Sequence, residues 1–185
     1  MRLFTGIEIP PALLDNMEAL LQRLRPTARI QWSPIANLHI TTKFIGNWPE
    51  EKLAELTQTL SAVPRTGSIR IGIGGLGFFP NPKSPRVLWA GVHASSALAM
   101  LAGETSRALA ALNIAPEIRP YSPHLTLGRI KKAESLNALR DAMQNIDAIN
   151  IGRFEATRFH LYLSKPGPSG SVYSRLATFP LDTSE

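Results

Sequence analysis

The sequence predicts a mixed fold of strands and helices in which a duplicated strand–helix–strand–helix–strand unit packs as two pseudo-symmetric lobes. Three observations predict it. Apolar residues switch between alternating and helical spacing in the same order twice along the 185 residues. Landmarks recur in register: Phe4-Thr5-Gly6-Ile7 stands 85 positions before Trp89-Ala90-Gly91-Val92, and His39-Ile40-Thr41 stands 85 before His124-Leu125-Thr126. A further match, Ile69-Arg70-Ile71-Gly72 with Ile149-Asn150-Ile151-Gly152, has an offset of 80. The units, roughly 1–80 and 86–165, are each too small to bury a good core, so one domain over 1–185 is expected.

Arg2 to Ile9 is rich in β-formers and reads as a strand. Pro10-Pro11 stops it and opens a helix, whose first turn tolerates proline. Leu13, Leu14, Met17, Leu20, Leu21 and Leu24 give that helix one apolar stripe, and Pro26 ends it. Short strands follow at Arg29 to Trp32 and Leu38 to Ile45. Asn47 to Glu51 starts a second helix with acids in its first turn, where the macrodipole favours them, and Leu53, Leu56 and Leu60 face inward. Ser68 to Phe79 reads as a strand, Pro80 to Pro85 as a loop, and Arg86 to His93 as a strand. Ser95 or Ser96 caps a helix carrying Leu98, Leu101, Leu109 and Leu112. His124 to Ile130 is then a strand and Glu134 to Ile146 a helix. Ile149 to Leu163 carries one or two strands, Lys165 to Gly170 a turn-rich loop, and Val172 to Phe179 the last strand.

Composition narrows the chemistry. With no cysteine, thiolate nucleophiles, disulfides, Cys-ligated zinc and iron–sulfur clusters are excluded. No apolar run approaches the ~20 residues of a membrane span, and the first residues lack a signal-peptide pattern, so a soluble cytoplasmic protein is expected. The net charge of +6 favours polyanionic partners, although the basic residues are scattered rather than blocked.

Four histidines and twelve threonines placed at random would give roughly 0.3 His-x-Thr tripeptides. Two occur, at equivalent points of the repeat. Residues i and i+2 of a strand share a face, so His39 stands beside Thr41 and His124 beside Thr126. If the lobes face each other, two imidazoles and two hydroxyls meet in one cleft. Imidazole titrates near neutrality, so one ring can serve as general base and the other as general acid across a reacting phosphorus. The hydroxyls and a nearby cation can hold the non-bridging oxygens. Two histidines with no tight cluster of further ligands make a poor metal site, so none is expected.

These residues, His39-Ile40-Thr41-Thr42 and His124-Leu125-Thr126-Leu127-Gly128-Arg129, resemble the twin motifs of the 2H phosphoesterase superfamily. The resemblance is nearest to its RNA 2′,3′-cyclic phosphodiesterase branch, also called 2′-5′ RNA ligases. Softer support comes from Arg2-Leu3-Phe4, Arg86-Val87-Leu88-Trp89, and Leu161-Tyr162-Leu163-Ser164 followed by Tyr173. The resemblance implies a bilobal α+β fold, with antiparallel sheets lining a central cleft and helices outside. It implies no metal or cofactor, and opening of a 2′,3′-cyclic phosphate at an RNA end to a 2′-phosphate, with reversible 2′-5′ ligation in several members. By residue-wise carry-over His39 is the general acid and His124 the general base, with Thr41, Thr126 and Arg129 on the phosphate. The partner implied is an RNA ending in a 2′,3′-cyclic phosphate, tRNA fragments among the candidates, acted on by a monomer away from membranes. On sequence grounds the two histidines remain interchangeable.

Two departures stand out. Thr42 occupies a position the family fills with an aliphatic residue, and alternation turns it away from His39, toward packing. Arg129 lies five residues after His124, on the opposite face of a regular strand, and reaches the phosphate only if the strand ends or bulges near Gly128. Lys43, in phase with His39, is a second candidate cation whose plainer reading is a surface lysine.

Gly72-Ile73-Gly74-Gly75-Leu76-Gly77 matches a dinucleotide-turn pattern but runs into Phe78-Phe79-Pro80, which cannot begin a helix, so a bent or bulged strand is expected. Ser122 reads as a turn residue, and His93 and His160 as structural. Trp32, Phe44, Phe79 and Tyr121 are stacking candidates. Two other readings stay open: a phosphodiesterase for small cyclic nucleotides, and a non-catalytic RNA-binding module.

Overall fold

Two antiparallel sheets share strands from both halves of the chain. The computed structural model describes residues 1–131, 135–144, 146, 150–167 and 170–182. β1 (Arg2–Glu8) leads into α1 (Pro11–Leu24), opened by proline as the sequence suggests. β2 (Gln31–Trp32) and β3 (His39–Asn47) follow, then α2 (Leu53–Ser61) and β4 (Ile69–Phe79). The second half runs β5 (Val87–Ala94), α3 (Ser96–Ala110), β6 (His124–Arg129), α4 (Asn137–Gln144), β7 (Asn150–Ala156), β8 (Arg158–Gly167) and β9 (Gly170–Pro180).

One sheet has the order β3-β1-β8-β9 and the other β2-β6-β5-β4-β7. In each, the first strand of a half pairs with its own motif strand and with a strand from the other half. β1 lies between β3 and β8, and β5 between β6 and β4. The registers repeat at one offset: Thr5 pairs with Leu161 and Phe4 with Tyr162, while Ala90 pairs with Leu76 and Trp89 with Gly77, each residue 85 from its counterpart. The strand in β4's position is therefore β8, rather than β7, with which the sequence aligned Ile69–Gly72.

The helices cover the outer faces, α1 beside β7 and α4, α2 and α3 beside β9 and β3. Leu13, Met17, Leu21 and Leu24 of α1, and Leu98, Leu101 and Leu109 of α3, are buried there, as their spacing requires. Among the described residues no helix is long and apolar enough to cross a membrane.

The glycine-rich segment is a bulged strand, its ladder slipping between Ile73 and Leu76. Of the predicted helix Glu134–Ile146, residues 137–144 form α4, Ser135, Leu136 and Ile146 are not helical, and Glu134 and Asn145 lie outside the described residues. The predicted loop Lys165–Gly170 is mostly strand: Lys165 pairs with Val172, Pro166 with Ser171 and Gly167 with Gly170, and residues 168–169 lie outside the described set. Pro166 is tolerated because β8 has run past Ser164, its last residue paired with β1, so one side of the strand has no ladder there.

Candidate active site

β3 and β6 each begin at a motif histidine. His39, Thr41, His124, Thr126 and Arg129 all line one cavity of about 1230 Å³ that draws its walls from both sheets. All five residues singled out from the sequence thus share one cavity. His93 is exposed at the end of β5 and lies outside this lining, as does His160, which is buried against Thr178.

The rings are held the same way on both walls. His39 Nδ1 lies 2.7 Å from the Asn37 carbonyl oxygen, and His124 Nδ1 lies 2.8 Å from that of Ser122. A carbonyl oxygen only accepts, so Nδ1 carries the hydrogen in both rings and Nε2 is left for chemistry. His39 Nε2 lies 3.0 Å from the Thr41 hydroxyl. Asn37 and Ser122 are again 85 apart, two residues before their histidines, a signal visible in the sequence once both rings are known to need an orienting acceptor.

The surroundings of the two rings differ. His39 packs on Phe4 with centroids 4.6 Å apart and meets the edge of Tyr173 at 5.1 Å, while Tyr162 backs Phe4. His124 meets Phe79 edge-on at 4.9 Å. Burial in the aromatic nest pulls His39 below the usual histidine range, the Asn37 carbonyl pulls partly back, and the charge of His124 adds a smaller downward push.

Paired bulges complete the site. In the β1–β3 ladder Thr5 opposes Lys43 and Gly6 opposes Thr41, leaving Thr42 as the extra residue. In the β5–β6 ladder Leu88 opposes Gly128 and Trp89 opposes Thr126, leaving Leu127, at the same place 85 residues on. Each extra residue reverses the alternation that follows. Arg129 is thereby returned to the face of His124 and Thr126, meeting the condition the sequence set for it, and Phe44 takes the matching place beyond His39, 60% exposed in the cavity. Gly128 keeps this bulge close to β2, where a Cβ would stand 2.8 Å from Ile30 Cδ1.

The β3 bulge at Thr42 corrects the reading of Lys43. It is neither a surface lysine nor a cleft cation but a buried one, 2% exposed, whose Nζ donates to the Ala115 carbonyl at 2.7 Å and meets Glu117 at 3.3 Å. Thr42 packs away from the cleft as expected, sharing a buried hydrogen bond of 2.7 Å with Thr5.

Of the stacking candidates, Trp32 and Phe44 line the cavity, whereas Phe79 and Tyr121 do not. The Tyr121 hydroxyl donates to the Thr41 carbonyl, and burial raises its pKa. Arg2, Phe4 and Tyr173 enter the sequence reading only as softer support for the resemblance, with no role assigned, and the cations Lys131 and Lys165 along the cavity carry no functional signal there. Their positions depend on strand pairings, several of which join residues more than 100 apart. Among the described residues no group of three or more His, Asp or Glu side chains is placed to hold a metal ion.

Known proteins share this layout. An RNA 2′,3′-cyclic phosphodiesterase of Methanocaldococcus jannaschii is 35% identical over 94% of this chain and 96% of its own. One of the same name from Archaeoglobus fulgidus is 32% identical over 97% and 99%. A crystal structure of a Thermus thermophilus protein superposes with a TM-score of 0.79 at 28% identity, covering 98% of each chain. The family model of the 2′-5′ RNA ligase superfamily matches residues 10–167, and the chain belongs to that superfamily.

Proposed function

We propose that this protein opens the 2′,3′-cyclic phosphate at the end of an RNA and leaves a 2′-phosphate, by metal-independent acid–base catalysis between His39 and His124. The observation that carries the reading is the pair of Nε2 atoms, each oriented by a carbonyl on Nδ1, in opposite walls of one cavity. His124 Nε2 takes a proton from water as the water oxygen bonds to phosphorus. The phosphorus–O3′ bond breaks, and His39 Nε2–H gives its proton to O3′. Thr41, Thr126 and Arg129 hold the non-bridging oxygens as charge builds on them. With a ribose 5′-hydroxyl in place of water, the same proton transfers in the same direction give 2′-5′ ligation, and their reversal cleaves that linkage.

The acid role of His39 agrees with its low pKa only if the bound phosphate raises that pKa, which a phosphate anion beside an imidazolium does. Phe44, exposed in the cavity at the place that matches Arg129, is the base platform in this reading. Cavity size favours RNA over a lone cyclic nucleotide: about 1230 Å³ exceeds the roughly 300–1,000 Å³ of ordinary small-molecule pockets. The partner is an RNA end, tRNA fragments included, met by a single chain in the cytoplasm. The duplication of 1–80 in 86–165 belongs to the same proposal, supported by the common offset of 85 in strands, bulges and orienting carbonyls.

The test is incubation with an oligoribonucleotide ending in a 2′,3′-cyclic phosphate, with EDTA in excess, followed by location of the product phosphate. A 2′-phosphate is expected. A 3′-phosphate, or no product, would overturn the reading.

A further inference from the structure

A second, smaller cavity of about 410 Å³ opens beyond the ends of β5 and β6. Its lining includes Lys83, Arg86, Lys131 and Arg140, and no acidic side chain among the described residues. Lys131 lines the catalytic cavity as well, so the two meet at that residue. Successive residues divide between them, Arg86 and Val87 on β5's approach, Arg129 and Ile130 at the end of β6.

We propose that this groove holds the phosphodiester backbone of the RNA on the 5′ side of its reacting end; the proposal rests on reading the cleft as the seat of an RNA 3′ terminus. A 2′,3′-cyclic phosphate closes the 3′ end, so every further nucleotide extends in the 5′ direction and must leave the cleft through an opening. On the β8–β9 side the cleft is bridged, because Asn37 Nδ2 donates to the Ser171 carbonyl at 2.5 Å. On the β6 side Arg129 and Lys131 line it, and Lys131 lines the basic groove as well.

Among the described residues Lys83, Arg86, Lys131 and Arg140 form no salt bridge. The Arg140 side chain donates to the Pro82 carbonyl at 2.7 Å, which fixes its guanidinium at the rim. Asn81 Oδ1 accepts from the backbone N–H groups of Lys83 and Ser84, 3.0 Å each, and holds the loop that carries Lys83. Cations gathered in one groove repel one another, and a polyanion that displaces their counterions relieves this.

Binding of oligoribonucleotides of two and eight nucleotides, each ending in a 2′-phosphate, tests the proposal by fluorescence anisotropy over a range of salt. In Lys83→Glu the eight-nucleotide ligand should bind about tenfold more weakly, with the salt slope reduced by about 0.7 for each phosphate no longer neutralised. The two-nucleotide ligand and the hydrolysis of a cyclic mononucleotide should be unaffected. Lys83→Glu/Arg140→Gln should enlarge the length-dependent weakening, and the single variant alone decides should the double one fail to fold. Wild-type affinity and slope for the long ligand in Lys83→Glu would overturn the proposal, as would equal weakening at both lengths. If the wild-type protein opens no cyclic phosphate, the catalytic reading fails, and the anisotropy comparison still decides whether the groove holds RNA.

Discussion

The Tyr121 hydroxyl donates across 2.9 Å to the carbonyl oxygen of Thr41, tying the loop that delivers one motif histidine to the strand that carries the other. Lys43 acts on the same loop from the same strand, through the Ala115 carbonyl. The separation of the two Nε2 atoms is therefore set by cross-ties as well as by sheet packing.

Tyr121→Phe removes one tie and little else. A loss of about 1 kcal/mol in stability is expected, as for a typical hydrogen bond, with kcat reduced severalfold and KM almost unchanged. Thermal melts and steady-state kinetics on a cyclic-phosphate oligonucleotide check this. A wild-type kcat would show that the tie does not set the site.

His39→Ala and His124→Ala should each lower turnover by about 10²–10⁴ while the fold persists. The roles separate with a substrate whose 3′ oxygen is replaced by sulfur, since a thiolate departs without a proton. That substrate should restore His39→Ala and leave His124→Ala inactive. The opposite pattern would exchange acid and base.

The pH profile of kcat/KM, which reports the free enzyme, should be bell-shaped and belong to the coupled pair, its lower limb drawn below the usual histidine value because His39 is pulled down before phosphate binds. Stability carries a related signature through His160, whose pKa burial lowers to about 4. A depressed histidine pKa means the unfolded chain binds more protons between pH 6.5 and 4. Stability is therefore highest above that window and falls through it, by an amount on the order of 3 kcal/mol. Melting temperatures at about pH 7 and about pH 4.5, on either side of most of that window, should differ less in His160→Gln than in the wild type. An unchanged difference would assign the acid sensitivity elsewhere.

Gly6 and Gly128 offer a matched contrast. A Cβ on Gly6 would stand 2.8 Å from the Ile40 carbonyl oxygen and 3.4 Å from His39 Cδ2, against backbone and a motif ring. On Gly128 the 2.8 Å neighbour is Ile30 Cδ1, the free end of a side chain that can turn. Gly6→Ala should cost about 1–3 kcal/mol and most of the activity, and Gly128→Ala clearly less of both. Equal losses would mean that the Ile30 side chain cannot move.

The phase of the twin motifs is legible in the sequence because i and i+2 share a strand face whatever the partner strand. His39, Thr41, His124 and Thr126 accordingly line one cleft. Lys43 is not legible in the same way, because a bulge belongs to a pair of strands: nothing within residues 39–47 says that Thr42 has no partner opposite it. Arg129 differs only in that its odd spacing demands a bulge before it can reach the cleft. The match of β4 with β7 fails for a related reason, since similar residues mark strands but pairing is settled between segments far apart in the chain. Lys165–Gly167 reads as a loop from its proline and glycine, which an unpaired flank tolerates.

The exchange of β4 and β8 between the sheets bears on how the chain can come apart. Each half lends a strand to the other's layer, so the two halves of the chain are laced together and cannot part without tearing ladders in both sheets. Neither half can be cut away and leave the other's sheet intact, so a chain divided between residues 80 and 86 should hold together only while both pieces are present.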